Sequence, residues 1–195
     1  MFYKRKNKEK GFSLVEFAIV VGIFGVLVAI ALPNGTAVKA EADYGSVAET
    51  VHTLETAEAV YEVNNNSLGT IAQMLANGAL NTAPLQNLAI GSTSTMAVVA
   101  AGTAAGSGGA TANGYDLDGD GTVDVGGTTG NSATFSVAEI TINGVTANDA
   151  FKVGQKIDGS ALNSAIGVAD SKGRVEYPAI VAPATGIVKI FVARR

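Results

Sequence analysis

From Phe12 to Leu32 the chain holds 21 consecutive positions that are apolar or small, interrupted by one charge, Glu16. As a helix this run measures about 31 Å, enough to cross the hydrocarbon layer of a membrane. Beyond Pro33 the apolar pattern changes from continuous to periodic. Tyr44, Val47, Val51, Leu54, Ala57 and Tyr61 recur at three- and four-residue steps, while Glu41, Glu49, Glu55, Glu58 and Glu62 fill much of the remainder. That spacing predicts an amphipathic helix over 34–64 with one face docked on a sheet, ended by Asn64-Asn65-Asn66. Pro33 lacks an N–H, clashes with the carbonyl four residues earlier and is followed closely by Gly35, so the helix is expected to kink or locally melt around Ala29 to Gly35.

Thr70 to Gly78 reads as a short second helix ended by its glycine. Candidate strands follow at Thr95–Ala101, Ala133–Ile142 and Gly186–Val192, with a fourth at Val175–Val181 limited by Pro178. In the second of these the alternation slips near Ala138-Glu139. The expected fold is α+β: a long N-terminal helix, membrane-spanning in its first half and amphipathic in its second, packed on a small antiparallel sheet of three to five strands. Four segments result: 1–11, the apolar helix 12–33, the amphipathic helix 34–64, and a globular head over 65–195.

Charge adds a direction. Lys4, Arg5, Lys6, Lys8 and Lys10 precede the apolar run and are expected to stay in the cytoplasm, placing everything after Pro33 outside. Removing residues 1–11 leaves eight basic and sixteen acidic residues, a net of −8 against −4 for the whole chain. No basic residue occurs between Lys39 and Lys152, where twelve acids fall. Such a field repels phosphate backbones, so the isolated head is not expected to bind nucleic acid. The absence of cysteine excludes disulfides and thiolate metal sites. His52 stands alone among acids and reads as a surface or groove residue. Gly102 to Gly114, rich in Gly, Ala, Ser and Thr, reads by composition as a mobile surface loop.

The carboxylate of Glu16 needs a reason, because an acid at mid-membrane costs roughly 2.5–3.5 kcal/mol on insertion scales. The basic start, apolar run and small triplet Ala29-Ile30-Ala31 also fit a cleaved secretory signal, and the composition fits an ordinary single-span anchor. Neither uses an acid four residues into the run. Lys10-Gly11-Phe12-Ser13-Leu14-Val15-Glu16 before an apolar helix resembles the prepilin motif of type IV pilins and type II secretion pseudopilins. That resemblance implies a leader peptide over 1–11, cleavage between Gly11 and Phe12 by a prepilin peptidase, and N-methylation of Phe12. It further implies insertion in the bacterial inner membrane, assembly by inner-membrane machinery into a helical homopolymer, and a pilin-like fold. Pro33 matches the helix-bending proline of that family. In a fibre, Glu16 can pair with the new α-ammonium of Phe12 on a neighbouring subunit, each charge offsetting the other's desolvation and fixing axial register.

Asp116, Asp118, Asp120 and Asp124 occupy positions 1, 3, 5 and 9 of an EF-hand-type calcium loop, with Gly121 at position 6 and the carbonyl of Thr122 at position 7. Hard oxygen donors suit Ca²⁺ over softer metals. Position 12 is Gly127 rather than glutamate and no helical pattern flanks the loop, so an EF-hand domain is not expected. A solvated Asp-Gly turn remains the alternative. The leading function is a structural subunit of a type IV pilus-like filament on the cell surface. A periplasmic pseudopilin is the second reading, and a membrane-anchored or secreted calcium-binding adhesin the third. No nucleophile, acid–base or phosphate-loop constellation points to an enzyme.

Overall fold

The computed structural model describes residues 12–106 and 114–195, excluding the side chains at 31–37 and 87. Among the described residues the regular elements are α1 (Leu14–Asn65), α2 (Ile71–Asn77), β1 (Thr93–Val99), β2 (Val137–Val145), α3 (Ala147–Ile157), β3 (Val175–Glu176) and β4 (Gly186–Arg194). Short 3-10 turns lie at Pro84–Asn87 and Gly130–Thr134. The chain divides into two units, residues 1–41 and 42–195.

In the first unit α1 is apolar on every side. Phe12, Leu14, Phe17, Phe24 and Ile30 are all exposed, as are the valines and isoleucines between them. Helical backbone continues through Pro33, so the local melting expected around Ala29 to Gly35 does not occur. Proline forfeits one backbone bond, and the strong helix formers Ala29, Ala31 and Leu32 on one side and Ala37, Lys39 and Ala40 on the other favour continuing the helix. Among the described residues no helix is long and apolar enough to cross a membrane.

The second unit is the head. Its core contains the stripe read from the sequence, for Tyr44, Val47, Val51, Leu54, Ala57 and Tyr61 are all buried. Glu58, on the same part of α1, is fully buried and accepts the backbone N–H of Gly69 on both oxygens, at 2.9 and 3.1 Å. That bond turns the chain from α1 toward α2. α2 is fixed at its start by a reciprocal cap: Thr70 Oγ1 accepts the N–H of Gln73, and Gln73 Oε1 accepts the N–H of Thr70. It stops at Gly78, whose φ of 83° is left-handed and natural only for glycine.

The sheet has four antiparallel strands in the order β1-β2-β4-β3. Its register shifts between Ala138 and Glu139, where the sequence pattern slips. β2 begins at Val137 because residues 130–134 form a 3-10 turn, and β3 is two residues long, followed closely by Pro178. α3 is not anticipated by the sequence reading. Thr146 accepts the N–H of Asp149 at its start, and Ala150, Val153 and Gly154 face inward. Tyr44 on α1 donates to Asp149 Oδ1 at 2.8 Å, joining the two helices.

A second, smaller core lies over the start of β2, built from Ala105, Tyr115, Val125 and Val137 with Val99, Leu117, Phe135 and Phe191 packed against it. Glu139 is buried beside it. Its Oε1 pairs with Lys189 at 2.7 Å, and its Oε2 accepts the backbone N–H of Gly106 and the Tyr115 hydroxyl. Gly114 N–H donates to Ala105 carbonyl at 2.6 Å, so the ends of the segment 107–113 meet on one buried carboxylate. Residues 107–113 of the loop read by composition lie outside the described residues.

Candidate functional site

Tyr115 and Val125 pair across the base of the acidic loop, with Tyr115 N–H donating to Val125 carbonyl at 2.8 Å and Asp124 N–H to Tyr115 carbonyl at 2.9 Å. Burial first, then the charges of Glu139 and Glu176, push the Tyr115 phenol well above its ordinary pKa, so it stays a neutral donor. Its ring meets Phe191 edge-on at 5.6 Å. The loop therefore stands on a rigid footing. Its side is held by Gly173, whose N–H reaches the Asp116 carbonyl at 2.7 Å.

Within the loop, Asp116, Asp118 and Asp120 each bring a carboxylate oxygen within 4.8 Å of the others. Asp116 is buried and accepts the N–H groups of Gly119 and Gly121, each at 2.9 Å. Asp118 accepts from Asp120 N–H and Asp120 from Thr122 N–H, the short side-chain turns that aspartate favours. Gly119 and Gly121 have φ of 79° and 93°, which lets the chain fold back on itself between the acids. A carboxylate carries about four lone pairs, so the trio keeps free acceptor capacity after these bonds.

The three acids thus form a hard-oxygen donor set of the kind that suits calcium. Asp124 stands outside the trio, because its Oδ2 accepts the N–H of Leu117 at 2.8 Å and closes the loop. Position 12 has a structural reason for being glycine. Gly127 is buried, and a Cβ there would collide with Ser132 Oγ. A twelfth-position glutamate has no room.

The N-terminal constellation is partly described. Gly11 lies outside the described residues, and of Pro33 only the helical backbone is described. Ser13 Oγ accepts the N–H of Val15 at 3.3 Å, while Glu16 Oε2 accepts the N–H of Ser13 at 2.9 Å. Glu16 therefore caps the first turn of α1, satisfying a donor that a helix start leaves unpaired. The sequence reading missed this role, although Ser-x-x-Glu before an apolar run is its signature. His52 is exposed and lies 3.4 Å from Glu55, on the surface as read.

Sequence reasoning also passed over a pair of acids, Asp170 buried and Asp158 half-buried. Asp158 accepts the N–H groups of Arg174 and Val175, and Asp170 accepts those of Ser164 and Lys172. Together they hold the segment 158–177 that leads into β3, and Arg174 also pairs with Glu55 on α1. Burial pushes Asp158 up to about 6, Glu58 up to about 7, and Asp170 upward as well, only partly opposed by the backbone N–H donors. A carboxyl whose pKa is raised on folding contributes stability that is complete below its unfolded pKa and lost as pH rises through the folded one. The head is therefore expected to melt at a higher temperature at pH 5 than at pH 8. Thermal melts across that range check this, and Glu58→Gln is expected to flatten the part of the slope near pH 7.

Residues 6–32 match the family model described as the prokaryotic N-terminal methylation motif. Among curated proteins the chain is similar to the type IV narrow pilus major component PilA5 of Thermus thermophilus, 37% identical over 70 residues that make 36% of this chain and 60% of that protein. It is also similar to the type II secretion system core protein G of Klebsiella michiganensis, 34% identical over 71 residues, 36% of this chain and 50% of that protein. The protein of that name from Escherichia coli is 33% identical over 69 residues, 35% of this chain and 48% of its own length. The chain spans about half to three-fifths of the length of these relatives. No solved structure matches it. Through the N-terminal methylation motif at residues 6–32, and over about a third of its length, the chain is similar to a type IV pilus major component and to type II secretion core proteins G.

Proposed function

We propose that the chain is a structural rather than catalytic protein: a filament subunit cut between Gly11 and Phe12, methylated at Phe12 and polymerised through its N-terminal helix. The observation that carries this reading is the one carboxylate, Glu16, at the fifth place of an otherwise apolar segment whose large side chains are exposed, Phe12 by 79% and Leu14 by 84%. Apolar exposure on that scale marks a surface meant for a partner. Before assembly the partner is the inner membrane, and afterwards it is the same segment of neighbouring copies. Prepilin peptidase and the inner-membrane assembly machinery act on the precursor.

We favour an extracellular pilus as the product. A periplasmic pseudopilus is the second reading, favoured by the relatives named core protein G and by a head with no cysteine and an acidic loop. In either fibre the trio Asp116, Asp118 and Asp120, with the carbonyl of Thr122 and Asp124 nearby, holds a calcium ion that neutralises the loop's own repulsion and takes the place of a disulfide. The reading is tested by the intact mass of the mature protein. The expected start is methylated Phe12, whereas a start at Leu32 or an uncut chain would show that the apolar run serves only as a signal or an anchor.

A further inference from the structure

Beside the acidic loop lies a cleft of about 680 Å³. One wall is the loop's second half, with Thr122 and Asp124, and the other is the 3-10 turn carrying Thr129 and Asn131. Phe135, just before β2, and Arg194, the last residue of β4, complete the lining. The guanidinium of Arg194 lies over the Phe135 ring at 4.9 Å, and Phe135 in turn packs on the core of Tyr115, Val125 and Val137.

Arg194 is the basic residue that lines this cleft. Among the described residues Arg174 pairs with Glu55, Lys189 with Glu139, and Arg195 lies 3.9 Å from Glu62, yet no carboxylate stands within ion-pair distance of Arg194. In a chain with 17 acids and 13 bases, an arginine left open to outside carboxylates offers a recognition point. Stacking on the ring holds its planar fork in one orientation. The wall facing it is also held in advance: Ser132 Oγ donates to Thr129 carbonyl at 2.8 Å, and Thr134 Oγ1 to Asn131 carbonyl at 2.6 Å. Pre-set geometry of this kind lowers the ordering cost of binding.

We propose that this cleft binds an acidic saccharide. The carboxylate of a sugar acid matches the guanidinium fork in a bidentate pair, and sugar hydroxyls match the alternating donors and acceptors of Thr122, Thr129, Asn131 and Asp124. Size decides against the simplest competitor, an acidic side chain from a neighbouring copy, because the cleft falls within the range of about 300–1,000 Å³ used for whole ligands. Its lining is also too polar for an apolar ligand. The chain's negative charge repels polyanions at a distance, so binding of an acidic sugar reports a local site rather than general attraction. The inference goes beyond the filament reading and does not rest on it.

The test is titration of the purified full-length chain with trigalacturonate and with neutral galactotriose. Trigalacturonate is expected to bind, with the neutral trimer and the Arg194→Gln variant each at least about tenfold weaker, the scale of one charge-assisted hydrogen bond. The variant's melting temperature is expected to be unchanged. If it falls instead, Asn131→Ala decides, and it is expected to weaken binding several-fold while the fold stays intact. Absence of trigalacturonate binding, or equal binding by Arg194→Gln and Asn131→Ala, overturns the proposal. So does a finding that Arg194→Gln alters only self-association, which would make the cleft a seat for a neighbour's carboxylate.

Discussion

Precursor carrying Glu16→Gln is expected to be cleaved after Gly11 and methylated at Phe12, yet to form no fibres. The substitution separates two roles that one carboxylate holds. Glu16 Oε2 caps the helix start through the N–H of Ser13, and glutamine at that position can still cap. What glutamine cannot do is answer the α-ammonium that cleavage creates on a neighbouring subunit. Leaving that charge unpaired away from water costs about 3–5 kcal/mol, and the cost recurs at every subunit. Glu16→Ala removes both roles, with about 1 kcal/mol of capping lost in addition. Electron microscopy of sheared cells reads the fibres, and the mass of the N-terminal peptide reads processing. Fibres from the Gln variant but not from Ala would assign the acid to capping alone, and normal fibres from both would refute the charge pair.

The second large effect is expected in the head. If calcium sits among Asp116, Asp118 and Asp120, an ion concentration about 100 times its dissociation constant adds about 2.7 kcal/mol. For a domain of this size that is a rise in melting temperature of about 5–10 °C, abolished by a chelator. Asp118→Ala with Asp120→Ala is expected to lose the calcium response while melting, without calcium, at or slightly above the parent, because the pair also removes repulsion. Asp116 is a poor choice for this test. It is buried and holds the N–H groups of Gly119 and Gly121, so its loss unfolds the turn whether or not calcium binds. Equal melting of the parent with and without calcium would count against the site. Circular dichroism suffices as the readout.

The features legible in the sequence are those written in local spacing. The buried stripe of α1 follows from three- and four-residue steps, and the slip at Ala138-Glu139 appears as a register shift in β2. Convergence of three acids follows from their alternation around Gly119 and Gly121. The features missed depend on partners far along the chain. Asp158 and Asp170 look like ordinary surface acids until the backbone of 164–175 folds onto them. β3 shrinks to two residues although its sequence is apolar for longer, since Asp170 bridges to Tyr177 and Pro178 follows directly. α3 was legible in principle, from Thr146 three residues before Asp149 and the spacing of Ala150, Val153 and Gly154. Its weakly apolar composition hid it beside the stronger strand pattern that precedes it.

Closure at Gly106 and Gly114 has a consequence for how this subunit can vary. Ala105 and Gly114 are already joined by a backbone bond, and Gly106 is held on Glu139, so whatever lies between them adds little to what the fold must organise. Each doubling of a flexible loop costs only about 0.6 kcal/mol in closure entropy. The bonds that close the two ends at Ala105, Gly106 and Gly114 do not depend on the sequence or length of what joins them. In a polymer the same port recurs at every subunit, so a weak epitope or binding sequence placed there is presented in many copies, and its effective strength rises with their number rather than with its own affinity.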